Sequence, residues 1–396
     1  MLADKIHAYS PGLDQPVAAA AREAARRVPA FAARIAAAGI ATVDTVVDLD
    51  QLPVLTKDDL IAAQRTHPPF GGAVAPDAQI RKVFASPGPL YEPQLPGPDP
   101  WRWSQALRAT GIGPGDTVLN CFSYHLSPAG AMFEEGALAV GAVVVPAGVG
   151  SQELQVYLAA AVGTTAYTGL PSYLKALIET AASLDLPFPV CRALVTAEPL
   201  PDSLRSWLAE HVATVRQAYG TAEAGLLGYE TGPGSGLAIP DGVLIQVCDP
   251  TTGQPRHDDG IGQVVVSLLR PGQPLIRFGT GDLSAWTLGP DDSLRLAGVL
   301  GRLGEAVKVR GVFLHPRQAA AALAREPGVA AHRFVIDRAE HRDTLLCEIV
   351  PAPAADPQLT DRVQELIRAH LRLSADVVCV STLPDGPTIH DQRTWS

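Results

Sequence analysis

The stretch GPGDTVLNCFSYHLSPAGAMFEEGALAVGAVVVPAG, residues 113–148, sets the fold class. Its Gly-Pro-Gly-Asp turn feeds the apolar run TVLNCF, which has the length and composition of a buried strand. A helix through Glu134 and Glu135 follows, and a second apolar run, AVVVPAG, ends the stretch. The alternation continues outward. A helix near Trp101 precedes it, and a helix near Leu154, the strand TAYTG, a helix over Tyr173–Ala182 and the strand ALVTAE come after. Such alternation predicts an α/β fold whose mostly parallel sheet carries helices on both faces. Ligands in such folds bind at the carboxyl ends of the strands.

The flanks have a different character. The first forty residues read as helical, ending near Gly39, and Thr56 is placed to cap a helix that starts at Lys57. The proline-rich segment from Ser86 to Pro100 reads as a loop with no regular element. After Gly236 the chain turns β-rich, with strands near Val243–Cys248, Gly262–Leu269 and Ser293–Ala297. A final block of strand, helix, two strands, helix and strand predicts a small α+β domain. The expected division is 1–302 and 303–396, with the joint within Gly301–Glu305.

Composition narrows the partners. The 396 residues are 47% hydrophobic and 18% charged, enough apolar material for more than one core. A net charge of −10 opposes nonspecific nucleic-acid binding. No apolar run approaches the roughly 20 residues of a membrane span, and the charged start is unlike a signal peptide. Five scattered cysteines without a C-x-x-C pair predict reduced thiols and a cytoplasmic protein.

Four short segments recur in a fixed order: TAEP (196–199), YGTAE (219–223), RFGTGD (277–282) and GRLGEAVKVRG (301–311). Together with LPVLTKDDL (52–60) and the small C-terminal block, they resemble the adenylate-forming, AMP-binding superfamily, in its phenylacetate–CoA ligase-like branch. The resemblance implies a mobile small domain and a set of site residues. Ala197, Glu198 and Pro199 would line an adenine pocket. Tyr219 would offer a flat face to the purine, with Gly220 and Thr221 beside the nucleotide. Glu223 would hold Mg²⁺ near phosphates, where a hard oxygen ligand suits the ion. Asp282 would accept both ribose hydroxyls, as an acceptor-only group with two oxygens. Arg302 would touch the ribose, and Gly304 stands where the family has an aspartate hinge. Lys308 and Arg310 match a loop that reaches the site for thioester formation. Tyr124 and His125 would lie over the carboxylate substrate, with Ala147 and Gly148 in an apolar acyl pocket. Glu223, Lys308 and His125 are thus the catalytic candidates. Residue chemistry alone also allows a helix-terminal carboxylate at Glu223, a turn aspartate at Asp282 and surface charges at Lys308 and Arg310.

Two lysine-bearing elements of that superfamily are missing. Its Ser/Thr/Gly-rich phosphate loop ends in Lys-Pro, but here the matching stretch is FASPGPLYEPQLPGP (84–98). Only Ser86 and Gly88 correspond; prolines remove amide donors, and Glu92 would repel phosphate. No lysine follows Lys308, and LPDGPTIHDQR (383–393) has Pro387 or Thr388 where the adenylation lysine belongs. Arg393 matches a later family arginine, which would not replace a lysine's point charge without loss.

Three functions fit. The first is an acid–thiol ligase-like enzyme that passes an aryl or alkyl acyl adenylate to CoA or a carrier-protein thiol, with ATP activation impaired. The second is a noncatalytic relative acting as a binding or partner subunit. The third is ATP-independent acyl transfer or condensation using Tyr124, His125 and Glu198 as acid/base groups. AMP or ATP, Mg²⁺ and a thiol are the cofactors the resemblance implies.

Overall fold

The computed structural model describes residues 2–393 apart from 87–89, 269, 271, 304–306, 311, 315, 340–341 and 354–355. Two compact units emerge: residues 1–200 with 205–301, and residues 302–396 with the short segment 201–204.

The large unit opens with helices α1 (Leu2–Tyr9), α2 (Asp14–Arg27), α3 (Pro29–Ala37), α4 (Val46–Leu49) and α5 (Lys57–Thr66). Thr45 and Thr56 each begin a helix with a reciprocal capping box, to Asp48 and Asp59. Such a box satisfies two backbone amides that the helix itself leaves open. The start of α5 is therefore fixed by sequence, and with it the position of Lys57.

Strands β1 (Lys82–Ser86) and β2 (Leu90–Gln94) form a separate antiparallel hairpin. This corrects the expectation of an irregular segment after Ser86. Pro93 is compatible with β2 because a two-stranded sheet has only edges, where a missing amide costs no ladder bond.

The chain then runs α6 (Trp103–Ala109), β3 (Thr117–Asn120), α7 (Ala129–Ala139), β4 (Val143–Val145), α8 (Gln152–Val162), β5 (Ala166–Gly169) and α9 (Pro171–Ser183). It continues through β6 (Arg192–Val195), α10 (Asp202–Ala209), β7 (Thr214–Thr221), β8 (Gly225–Tyr229) and β9 (Leu237–Ala238). Strands β10 (Val243–Cys248), β11 (Gly262–Leu268), β12 (Leu275–Ser284), β13 (Trp286–Leu288) and β14 (Leu294–Leu296) follow.

One nine-stranded sheet has the order β13-β14-β9-β8-β7-β6-β5-β3-β4. Its β7-β6-β5-β3-β4 half is parallel, as the alternating sequence predicts, and its other half is antiparallel. Strands β10, β11 and β12 lie consecutively in a second, antiparallel sheet. β10 and β11 are buried along their whole length, which is why they read as largely apolar runs, with Gln246, Gln263 and Ser267 buried among them. Between α6 and α7, Trp103 and Phe122 stack on Phe133 at centroid distances of 4.0 and 4.2 Å. Such aromatic contacts contribute about 0.5–1.5 kcal/mol each beyond burial and anchor the loop after β3.

In the small unit, two long antiparallel strands, Val329–Ala339 and Arg342–Pro351, pair with Ile389–Asp391 and Asp376–Cys379 respectively. Phe334, Ile336, Cys347, Ile349, Val363 and Ile367 pack its own core. The 383–393 segment, read as the shortened adenylation stretch, thus includes an edge strand. Arg393 there pairs with Asp343 and Asp391.

Candidate nucleotide and acyl site

Strands β7 and β12 carry the nucleoside candidates. Tyr219 is buried in an apolar cluster with Ala224, Val264, Val266 and Phe278, and its hydroxyl donates to Asp282 Oδ2 at 2.9 Å. That bond fixes the orientation of the Asp282 carboxylate, itself largely buried. A Cβ added at Gly220 would lie 2.5 Å from the Gly225 carbonyl oxygen and 2.9 Å from the Trp103 ring. Close packing of the β7–β8 hairpin alone therefore requires glycine. Thr221 Oγ1 accepts from the Ala224 amide, closing the turn that holds Glu223. Ala197 sits after β6 at φ +73°, a left-handed conformation costing a non-glycine residue about 1–2 kcal/mol. Glu198 Oε1 accepts from the Ser172 amide at 2.7 Å. This places its charge at the N-terminus of α9, where the helix dipole favours it.

The phosphate side is built differently. Three residues connect β1 to β2, and the ladder closes with Ser86 opposite Leu90. Two of the three are prolines, so Gly88 supplies the connection's single amide donor. On β2, Glu92 is 8% exposed, and neither carboxyl oxygen has a hydrogen-bond partner among the described residues. Burial, reinforced by the nearby charge of Glu223, pushes its carboxyl up to about 8. It therefore holds its proton at neutral pH. Glu223 is ion-paired with Lys57 Nζ at 2.7 Å. Burial alone would raise its pKa, but the Lys57 ammonium overrides that and holds it below the ordinary carboxylate value. A cavity of about 50 Å³ is lined by Glu92, Glu223, Arg270, Tyr91 and Gln64, among others. That is room for a few waters.

On the acyl side, Asn120 at the end of β3 is fully buried and organises the loop beyond it. Its Nδ2 donates to Tyr124 Oη at 2.7 Å and to the Gly130 carbonyl at 2.8 Å, while its Oδ1 accepts from Thr168. Burial and the Glu134 carboxylate raise the Tyr124 phenol well above its usual range. His125 is exposed on the same loop. The Ala147 and Gly148 carbonyls both accept from Gln155 Nε2, and Gln155 Oε1 accepts from Tyr173 Oη at 2.7 Å. Gln155 thus ties the predicted acyl-pocket segment to α8 and α9.

Comparison with known proteins now adds a second line. The AMP-binding enzyme family matches residues 103–268. The phenylacetate–coenzyme A ligase of Thermus thermophilus is 30% identical over 324 residues, covering 74% of this chain and 69% of that protein. This chain belongs to the phenylacetate–coenzyme A ligase family. The Aromatoleum evansii phenylacetate–coenzyme A ligase is 27% identical and covers 90% of the chain and 87% of its own. In three dimensions, a 2-hydroxyisobutyryl-CoA ligase in complex with 2-HIB-AMP and CoA superposes with a TM-score of 0.86 at 24% identity. That match covers 96% of this chain and 89% of the other. The adenylate-forming fold is thereby established.

Within this family member, three residues outside the predicted site prove central. Lys57 lies in the LPVLTKDDL match, yet its partner Glu223 is 166 positions away, so the pairing had no local signal. Asn120 and Gln155 are buried polar residues whose bonds shape the acyl-side loops. By contrast, Arg277 of the RFGTGD motif is structural: 1% exposed, it reaches Asp50 at 2.9 Å and the Gly253 carbonyl. Glu223 stands in a β-hairpin turn, which removes the helix-terminus explanation for its charge. As a metal ligand it offers a single carboxylate already neutralised by Lys57. Among the described residues no group of three or more His, Cys, Asp or Glu side chains could hold a metal. Mg²⁺ normally completes its shell with substrate phosphates, so Glu223 would hold one only together with a bound nucleotide. Arg302 is half-buried, and Arg310 Nη2 donates to the Ser374 carbonyl within the small unit. Gly304 and the Lys308 side chain lie outside the described residues. Among the described residues, no helix is long and apolar enough to cross a membrane.

Proposed function

We propose that this family member forms a thioester from an acyl adenylate and the thiol of CoA, and that its activation of a free acid by ATP is greatly slowed. The observation carrying this reading is the three-residue β1–β2 connection with Glu92 buried beside the Lys57–Glu223 pair. A triphosphate needs amide donors and cationic side chains around its β- and γ-phosphoryl groups. This corner supplies one connecting amide, a protonated carboxyl, a lysine already committed to a glutamate and the Arg270 guanidinium, which donates to the Pro100 carbonyl. Losing one preorganised donor or charge typically costs on the order of 10²–10³ in rate, and two lysine-bearing elements are gone.

Thiolysis does not need those parts. The thiolate attacks the acyl carbonyl carbon, the bond from that carbon to the phosphate oxygen breaks, and AMP leaves with the electron pair. The thiol proton passes to solvent. Asp282, oriented by Tyr219, holds the ribose, and the loops organised by Asn120 and Gln155 shape the acyl side for a small carboxylic acid. Lys308 and Arg310 act at the thioester-forming stage, and the 1–302/303–396 division allows the small domain to move between stages.

The test offers a synthetic aryl adenylate plus CoA, and separately the free acid plus ATP, Mg²⁺ and CoA. The expected result is thioester from the first mixture and little from the second. Failure to turn over any member of an adenylate panel would overturn the proposal. The already neutralised Lys57–Glu223 corner also suits a noncatalytic binding subunit. Micromolar AMP binding by calorimetry, lost in Asp282→Ala, would exclude that second reading.

A further inference from the structure

The outward face of α8 carries an inference independent of the nucleotide chemistry. Gln155, Val156 and Ala159 form its buried face. The opposite face should be polar in a helix that ends at solvent. Instead it presents Leu154, Tyr157, Leu158 and Val162, which are 68, 52, 39 and 47% exposed. These occupy positions i, i+3, i+4 and i+8, one continuous stripe, with exposed Ala161 inside it. Scattered exposed apolar residues are ordinary, but a contiguous helical stripe of them marks an interaction surface.

The surroundings extend the stripe. Among the described residues β4 pairs only with β3, and it is the edge of the nine-stranded sheet. Val143 within it is 63% exposed, and Val149 between β4 and α8 is 65% exposed. Edge strands are normally protected by charges, proline or a covering element. Residues 136–166 contain a single charged side chain, Glu153, although charged residues make up 18% of the chain.

We propose that this face binds a second copy of the chain, with α8 packing against its symmetry mate about a two-fold axis beside the β4 edges. Charge selects this occupant. Two copies at −10 repel through most of their surfaces. The nearly uncharged 136–166 region is where they meet without that repulsion. An acidic carrier-protein helix or an anionic membrane surface would need Lys or Arg, and the α8 face has neither. A single helical face also satisfies the self-complementarity of a two-fold interface, and Ala161 lets two helices approach closely.

The test is the mass of the full chain in solution, by light scattering and sedimentation equilibrium from 1 to about 100 μM. The expected mass is twice the 41.5 kDa of one chain. Leu154→Glu with Leu158→Glu should weaken association by at least about 100-fold, since unpaired charges would be buried, while circular dichroism stays unchanged. Val378→Glu, at an exposed apolar position in the small unit, should leave the dimer intact. In a Cys379→Ser background, Ala161→Cys should give an oxidant-dependent covalent dimer. This second variant reports contact without disturbing the fold. A monomer throughout the concentration range, a dimer that survives both glutamates, or capture of a different protein by this face would overturn the proposal.

Discussion

The two ends of the nucleotide cleft obey different rules. On the β7–β12 side, a tyrosine hydroxyl orients a buried aspartate, and a tight glycine contact holds the hairpin beside it. On the β1–β2 side, two strands are joined through three residues, and a protonated Glu92 lies beside the Lys57–Glu223 ion pair. The first side presents oriented acceptors for neutral hydroxyl groups. On the proposed reading the second, with Glu92 protonated and Lys57 paired to Glu223, offers a polyanion little beyond Arg270. By that reading, the half of the site that binds the nucleoside is kept while the half that handles the leaving group is lost, and different strands build each half.

The largest expected effect lies on the intact side. Asp282→Ala should lower thiolysis of an acyl adenylate by on the order of 10²–10³, read by single-turnover thioester formation. An effect below tenfold would mean that the aspartate only supports Tyr219, and the contrast between the two sides would lose its firmer half.

The next effect concerns Glu92. Its folded-state pKa of about 8 exceeds its unfolded value near 4.5. The folded chain therefore binds the proton more tightly than the unfolded chain does. The resulting stability is fully present below about pH 4.5 and is lost as pH rises to 8. Glu92→Gln should remove that loss, gaining about 3–4 kcal/mol relative to the native chain at pH 8 compared with pH 5. Urea midpoints across this range measure the difference. Parallel pH profiles for the two proteins would show that Glu92 is ionised and the corner still charged.

The smallest effect belongs to the Lys57–Glu223 pair. Lys57→Met should cost about 2 kcal/mol by leaving Glu223 buried without its ammonium, and Lys57→Met with Glu223→Gln should recover most of it. A double-mutant cycle yields the coupling. Additive single effects would show two independent charges where the structure has one unit.

What sequence could reveal follows from how local each determinant is. The parallel strands were legible because short apolar runs alternate regularly with helical segments. The capping box at Thr56 was legible because its partners lie three residues apart. The motif residues were legible from their order along the chain. Strand β2 was hidden because Pro93 and the prolines that flank the strand mimic a loop, and only pairing with β1 makes it a strand. Glu92 was expected to repel phosphate as a carboxylate; burial and the charge of Glu223 instead keep it protonated, and those neighbours lie far along the chain. The bond from the Ser172 amide to Glu198 could not be read from sequence, because the two residues lie on different elements. Arg277 looked like part of the ribose motif, yet its guanidinium extends to Asp50, more than 200 residues away in sequence.

The most direct measurement is isotope exchange between pyrophosphate and ATP in the presence of a panel of carboxylic acids, run beside adenylate thiolysis on the same preparation. Label incorporation should be barely above background while thiolysis proceeds readily. Rapid exchange with any one acid would show that β- and γ-phosphoryl groups are well held after all, and would contradict the division of the cleft described above.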